Sequence, residues 1–436
     1  VNYYSHDGGV MKQILFVLLV VVITTGRCPA ESLPLDEAIT TALKNSVVMV
    51  EAKERVEVAA AKTVAARSAW WPQINLVADW NKGRSFLTAL GSIKETEVGT
   101  VGVQFRQIIY DFGRTGGQSA SQLANENALA EGVGVSSQDL ELRVKLAYQQ
   151  ALAVRSQASV AHIAESLSRQ LFHQAQHFYQ QGLRPKVEVL RAESNLYSAS
   201  AAVLKADNAV VLADLELARA MGLQNLGDKV PIAQPASLQR LPTLEQAYEI
   251  GLHQRSEFFR SRYEQQAAQQ VTKAARSGHF PVIALSGGAG YASKYLPPDG
   301  STWNIGITLT IPVFTGMNTS SQIRETLALE RMADARLKDL YLQVATEIEA
   351  AWRSAKEVDL RYLATEKAKM AAQEQSRLAL ERYRQGVGSM IEASDAQLQA
   401  YRAENEQIVT DFERSTARAV FARALGQTRL SSGGKE

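Results

Sequence analysis

The stretch Tyr383–Gln397, YRQGVGSMIEASDAQ, and its counterpart Tyr179–Glu193, YQQGLRPKVEVLRAE, decide how this chain is built. A helix-like run enters each stretch and another leaves it. Gly386 and Gly182 sit where the first run must stop, and glycine is the residue that most readily takes the left-handed conformation ending a helix. Ser389-Met390-Ile391-Glu392 reads as a capping box for the run that follows. In the other copy Pro185 suits the first turn of the new helix, where its missing amide costs little. Each phrase is therefore a reversal between two helices. Meeting the same reversal twice points to an internal repeat.

The repeat runs through most of the chain. Leu35–Pro72 aligns with Leu244–Pro281 at a constant offset of 209, and Ala65-Ala66-Arg67-Ser68 matches Ala274-Ala275-Arg276-Ser277. Further on the offset is 204, where Tyr179, Gly182 and Glu188 match Tyr383, Gly386 and Glu392, and Gly222 matches Gly426. The expected organisation is a first repeat over 31–222, a linker over 223–240, a second repeat over 241–426 and a polar tail over 427–436.

Residues 1–30 read as a signal-peptide region. Met11-Lys12, the plausible start, precedes an apolar run Ile14–Ile23 too short to span a bilayer as a helix, and Cys28-Pro29-Ala30 offers a cleavage site. Cys28 follows Arg27 rather than a small residue, which disfavours lipid attachment; it is expected to leave with the signal. It is the single cysteine of 436 residues, so no disulfide or thiol chemistry is expected after cleavage. With 47 Lys and Arg against 45 Asp and Glu, the net charge of +2 argues against nucleic acid as a partner.

Each repeat has the same grammar. It opens with a helix of about 37 residues, Leu35–Trp71 or Leu244–Phe280, ended by Pro72 or Pro281 because the residue before proline leaves helical geometry. Two strands follow. Trp303, Ile305, Ile307, Leu309 and Ile311 alternate with Asn304, Gly306, Thr308 and Thr310, a period of two with one apolar face. Ile283, Leu285 and Ala289, Ile74, Leu76, Ala78 and Trp80, and Val101, Val103 and Phe105 give the other strands. Polar loops are expected over Asn81–Val98 and Ala292–Thr302. Then comes a helical run of about 70 residues, Gly113–Gly182 or Gly316–Gly386, long enough for about 105 Å. Gly132-Val133-Gly134 is expected to loosen the first of these. After the sharp turn a further helix of about 37 residues ends at Gly222 or Gly426. The two shorter helices can lie end to end beside the long one, giving a rod with a β end and a helical tip.

The strands are the right length to cross a bilayer when tilted, and Trp80, Trp303 and Tyr291 stand near strand ends, where membrane aromatics lie. Four strands alone would leave unpaired amides in lipid. Chains must pool them: two would give eight strands, a barrel filled by its side chains, and three would give twelve, which could leave a channel. The expectation is a homotrimer: a twelve-stranded membrane β-barrel continued by an α-helical barrel.

The ordered, duplicated set of features resembles the TolC-like outer-membrane efflux protein family. It is carried by Leu35-Asp36-Glu37-Ala38-Ile39, the strand-to-helix corners Tyr110-Asp111-Phe112-Gly113 and Phe314-Thr315-Gly316, and the two glycine turns. The resemblance implies a mainly α fold with a membrane β-barrel and a non-enzymatic duct in the outer membrane that projects into the periplasm. A periplasmic adaptor (membrane fusion) protein and an inner-membrane pump of RND or ABC type would feed it, for efflux or type I secretion. It also implies pore and gate roles at Glu392 and Asp395, six and nine residues after Gly386, at Glu188, six after Gly182, and at Tyr383. The basic residue that some members carry two after the second glycine is here Gly388.

Each of these residues also has a plainer reading. Capping alone accounts for Glu392, whereas Asp395 lies beyond the box. Two acids three apart share a helix face, and three chains would ring a constriction with six carboxylates that disfavour anions. Position 191, which matches Asp395, is an arginine. Gly182, Leu183, Arg184, Lys186, Gly386 and Val387 are the tip-turn and adaptor-contact candidates; ordinary turn surface is the plainer reading. His173 and His177 lack the glutamate of a zinc-hydrolase motif, and Gly287–Gly290 lacks phosphate-loop spacing, so neither a metal nor another cofactor is expected. A periplasmic coiled-coil scaffold without a membrane barrel is the alternative function.

Overall fold

The computed structural model describes residues 31–87, 92–233 and 240–427. The signal-peptide reading, Cys28 and nearly all of the polar tail fall outside these residues. The chain folds as two compact units. Of the described residues, one unit gathers 31–42, 144–233 and 369–409, and the other 43–87, 92–143, 240–368 and 410–427.

The first unit carries both glycine turns. It contains strand β1 (Glu31–Leu33), most of helix α1 (Leu35–Asn45), helix α4 (Lys186–Ala220) and strand β4 (Lys229–Pro231). It also holds the C-terminal part of α3 (Arg114–Gln180), the end of α7 (Asn318–Arg384) and the start of α8 (Met390–Ala424). β1 and β4 pair in parallel, Glu31 beside Lys229 and Leu33 beside Pro231. The hydroxyl of buried Tyr148 lies 2.7 Å from the carbonyls of Leu33 and Ile232 and accepts from the Ile232 amide at 3.1 Å. Lys229 pairs with Glu37. The region 223–240, expected as a linker, thus contributes a strand. A three-residue strand whose partner is almost two hundred residues away carries no periodic signal.

The second unit is built on an antiparallel sheet of β2 (Gln73–Leu87), β3 (Ser92–Tyr110), β5 (Val282–Ser293) and β6 (Gly300–Thr310), in the order β2-β3-β5-β6. Its register brings the alternating apolar residues onto one face. Ile74, Phe105, Gly287 and Ile305 form one cross-strand row, and Leu76, Val103, Ala289 and Trp303 the next. This face is bare in the single chain: Leu76, Ile307 and Trp303 are 76%, 74% and 79% exposed. Trp80, Tyr291 and Trp303 fall within three adjacent rows, and exposed Trp70, Trp71, Tyr110, Phe280 and Phe314 stand at the other end. Trp71 and Trp80 are nine residues apart, about 21 Å of height at a 45° tilt, close to the apolar band of an outer-membrane barrel. No described helix is long and apolar enough to cross a membrane.

Beyond Trp80 the structure corrects the sequence reading. Apart from residues 88–91, which lie outside the described set, Asn81–Val98 is a continuation of the β2–β3 hairpin rather than a loop. The run looks polar because its cross-strand pairs are ionic: Lys82 Nζ stands 3.2 Å from Glu97 and 3.6 Å from Glu95, and opposite charges across a ladder favour pairing.

A second correction concerns the opening helices. They are broken at Ser46, between α1 and α2 (Val47–Arg67), and at Arg255, between α5 (Leu244–Gln254) and α6 (Ser256–Arg276). These two positions are equivalent in the repeat, and both residues are extended and only 5% exposed. Ser46 Oγ caps α2 by accepting from the Val48 amide at 3.3 Å. Arg255 pairs with Glu257 at 3.0 Å and Glu347 at 2.6 Å, while Arg423 reaches Glu257 and Asp139, each at 2.7 Å. The paired charges border a core of Phe258, Val344, Ile348, Val358, Phe421 and Leu425.

Gly132 and Gly134 do not loosen α3, which runs unbroken. A Cβ on Gly134 would lie 2.7 Å from Ser256 Oγ, so the glycine admits a close neighbour.

Burial pushes the Glu257 carboxyl up, but the Arg255 and Arg423 guanidiniums outweigh it and hold the group down at about 2. Its contribution to stability is therefore complete above the ordinary carboxylate range and is lost as pH falls through about 2. Arg255→Ala leaves Glu257 with Arg423 as its one remaining guanidinium and removes the Glu347 pair, and should destabilise the folded chain by about 1.5–3 kcal/mol. Thermal unfolding of detergent-solubilised protein, followed by far-ultraviolet circular dichroism, measures it.

Candidate functional site at the helical turns

The two reversals share one backbone solution. Gly182 and Gly386 have φ of +74° and +76°. The Gly182 amide donates to the Tyr179 carbonyl at 2.9 Å and the Leu183 amide to Phe178 at 2.9 Å; the matching bonds from Gly386 to Tyr383 and from Val387 to Arg382 are 3.0 and 3.1 Å. Both turns thus close a Schellman-type helix end, which needs the left-handed residue. The restarts differ. Pro185 occupies the capping position itself, one place before the first helical turn. Ser389 Oγ accepts from the Glu392 amide at 3.1 Å, half of the expected capping box. The Glu392 carboxylate instead lies 3.1 Å from Arg382 Nη1, across the turn.

The side chains make the turns unequal. Tyr383 is fully buried among Leu171, Ala175, Ala192, Met390 and Ala393, with Phe178 edge-on to its ring at 5.8 Å. Its hydroxyl donates to Glu188 Oε2 at 3.4 Å. Burial, and then the Glu188 charge, push its pKa up to about 12. Tyr179, its counterpart, is exposed.

Arg184 is half-buried rather than free at the tip. Its Nη2 donates to the carbonyls of Gly386 at 3.0 Å and Gly388 at 2.8 Å, and Nη1 lies 3.7 Å from Glu188 Oε1. One arginine thus clasps the opposite turn. The hairpins are also joined by Asn195 Nδ2 to Ser394 Oγ at 3.2 Å, and by Gln397 Nε2 to the Ala164 carbonyl and to Ser168 Oγ, each at 3.2 Å.

The two acids expected to share a face open on different grooves of the chain. Exposed Asp395 lines a groove of about 260 Å³ with Ala161, Ser168, Asn195 and Tyr401. Exposed Glu392 lines another with Glu374, Leu378, Arg382 and Gln385. Leu183, Lys186, Gly386 and Val387 are exposed, as is Gly182. His173 and His177 lie on the exposed surface, with His177 Nε2 3.3 Å from Gln181. No metal-holding group of three or more His, Cys, Asp or Glu occurs among the described residues. Sequence reasoning missed Arg184's direction. The absent base at Gly388 was visible, and the arginine at the equivalent place in the other turn was the signal that could have found it.

Comparison with known proteins agrees with the doubled architecture. The family model for the outer membrane efflux protein matches residues 38–223 and 248–427. The chain is 27% identical to the outer membrane efflux protein BepC of Brucella suis over 343 residues, 77% of this chain and 72% of that one. It is 25% identical to the alkaline protease secretion protein AprF of Pseudomonas aeruginosa over 354 residues, 75% and 69% of the two chains. The crystal structure of the outer membrane protein VceC of Vibrio cholerae is similar in fold, with a TM-score of 0.78 and 19% identity over 90% of this chain and 96% of that one.

Arg184→Gln should free the second turn. The expected result is amide exchange about tenfold faster or more across Gly386–Glu392, since bonds to a charged donor are worth about 1.5–3 kcal/mol; mass-spectrometric hydrogen exchange reads it. Tyr383→Phe should remove an alkaline transition. The raised pKa makes the wild-type tyrosine's contribution complete below its ordinary value near 10 and lost as pH rises through about 12.

Proposed function

Because the chain belongs to the outer membrane efflux protein family, we propose that it forms a homotrimeric, passive duct carrying solutes from an inner-membrane pump and a periplasmic adaptor to the cell exterior. Outer-membrane location and a non-enzymatic role come with the family. The observation that carries the duct reading is the sheet: one largely apolar face with its large side chains exposed, one mainly polar face, and two open edges at β2 and β6. Lipid on one face and water on the other satisfies the side chains. Pairing with further copies satisfies the edges, and three copies give a twelve-stranded barrel with room for a lumen.

The glycine turns are the inlet. Leu183, Lys186 and Val387 offer an exposed, mixed apolar and basic surface to an adaptor. Tyr383, Glu188 and Arg184 hold the hairpins together, and Glu392 and Asp395 give the mouth its negative charge. Drug efflux and type I secretion are both compatible with this reading, since BepC is named for efflux and AprF for protease secretion. The pump would be of RND or ABC type.

The test is functional and physical together. Full-length protein should resist carbonate extraction, migrate heat-modifiably, crosslink as a trimer in native membranes and open ion channels in planar bilayers. A peripheral protein removed by carbonate would return the coiled-coil scaffold reading. Asp395→Ala should lower the channel's cation preference, and an unchanged conductance and reversal potential would remove Asp395 from the pore.

A further inference from the structure

The polar face of the sheet carries a feature that the tip acids do not explain. In register on this face stand Arg106 and Ser286, with Gln104 and Gly288 in the next row, and Thr308 and Thr310 on β6. Where the face meets the start of α3, Arg106 and Arg114 line one groove of about 630 Å³ with Gln118, Ser286, Thr308 and Thr310. Both arginines are exposed, and neither makes an ion pair with a described residue.

The groove's acid is already committed. Buried Asp111 accepts from the Gly113 amide at 3.2 Å and the Thr115 amide at 2.7 Å, so its oxygens fix the strand-to-helix corner. On the same face Asp79 accepts from Thr100 Oγ1 at 2.7 Å and Asn81 at 2.8 Å, six residues along β2 from Gln73, the partner of Arg106. Two guanidiniums against one spent carboxylate leave the groove positive.

We propose that Arg106 and Arg114 form an anion-binding collar inside the duct, taking solutes that bear carboxylate, sulfonate or phosphate groups. The proposal rests on the reading of the polar sheet face as the lumen wall. A guanidinium presents a planar fork of donors matched to such oxyanions. Ser286, Thr308, Thr310 and Gln118 add neutral donors within the same groove, so an oxyanion bound by the arginines can be hydrogen-bonded further without another charge. In a trimer the groove recurs three times around one lumen, and six guanidiniums focus one potential within it. The collar opposes in sign the acids Glu392 and Asp395, so the two select separately.

The experiment uses full-length protein in planar bilayers at about 0.1 M KCl, where screening is moderate, with citrate as the probe. Wild-type channels should be blocked by citrate. In Arg106→Gln/Arg114→Gln the half-blocking concentration should rise at least tenfold, and the reversal potential in a KCl gradient should shift toward cations. Arg106→Lys/Arg114→Lys should keep most of the block, which separates charge from misfolding, and Asp395→Ala should leave citrate block in place. Channels that form normally but are blocked equally in wild type and the glutamine variant would overturn the collar alone. A wild-type protein that opens no channel would overturn the duct reading and the collar with it.

Discussion

An antiparallel sheet with two open edges and one bare apolar face cannot stand alone in lipid. Each unpaired amide there costs several kcal/mol, with no water to relieve it. That constraint orders the other features. The apolar rows of β2, β3, β5 and β6 need lipid, the edges of β2 and β6 need strands from other copies, and the glycines and hydroxyls of the opposite face suit a wet interior. The exposed aromatics at both strand ends fit the two interfaces of one bilayer. A closed barrel is the arrangement that meets all of these demands; two copies would close eight strands around a filled interior, and the proposed trimer is the count that leaves room for a lumen.

The duplication supplies the backbone, and divergence supplies the chemistry. At equivalent breaks one repeat uses a capping serine, Ser46, and the other a buried cation, Arg255, held by two carboxylates. At equivalent turn positions one repeat has Arg184 and the other Gly388, and the arginine donates to the carbonyl of that same glycine. Tyr383 is buried against Glu188, whereas Tyr179 is exposed. Neither hairpin is self-sufficient: the first provides the acid and the guanidinium, the second the phenol and the receiving carbonyls.

The parts legible in the sequence were those with a period or a stop signal. Alternation placed the apolar residues of β6 on one face, Gly182 and Gly386 located the turns, and absence of interior proline gave the long helices. The breaks at Ser46 and Arg255 lacked glycine and proline: the first is a local serine cap on the Val48 amide, and the second is explained by the carboxylates of Glu257 and Glu347 around Arg255. Asn81–Val98 has the composition of a loop, and its ladder becomes intelligible once Lys82 is seen beside Glu95 and Glu97. Gly134 read as weakness because a sequence cannot show Ser256 pressed against it. At the tip the residue types were legible and their directions were not. Asp395 and Glu392 share a helix, yet they open on different grooves because α8 packs between α3 and α4 on one side and α7 on the other.

The asymmetry of the turns bears on how such a mouth can be worked. Arg184 makes two charge-assisted bonds to backbone carbonyls, each worth about 1.5–3 kcal/mol, non-additively. Moving an equilibrium from 1:99 to 99:1 takes about 5.5 kcal/mol of differential binding, a cost of the same order as this clasp. A partner that docks equally well to joined and parted hairpins would change nothing. A partner whose acidic groups reach Arg184 in place of the carbonyls of Gly386 and Gly388 gains its contacts only when the hairpins part. If the turns are the proposed inlet, the turn surface around Arg184 would then be both the docking face and the control of the opening, because the guanidinium that a partner would engage is the one that holds the two turns together.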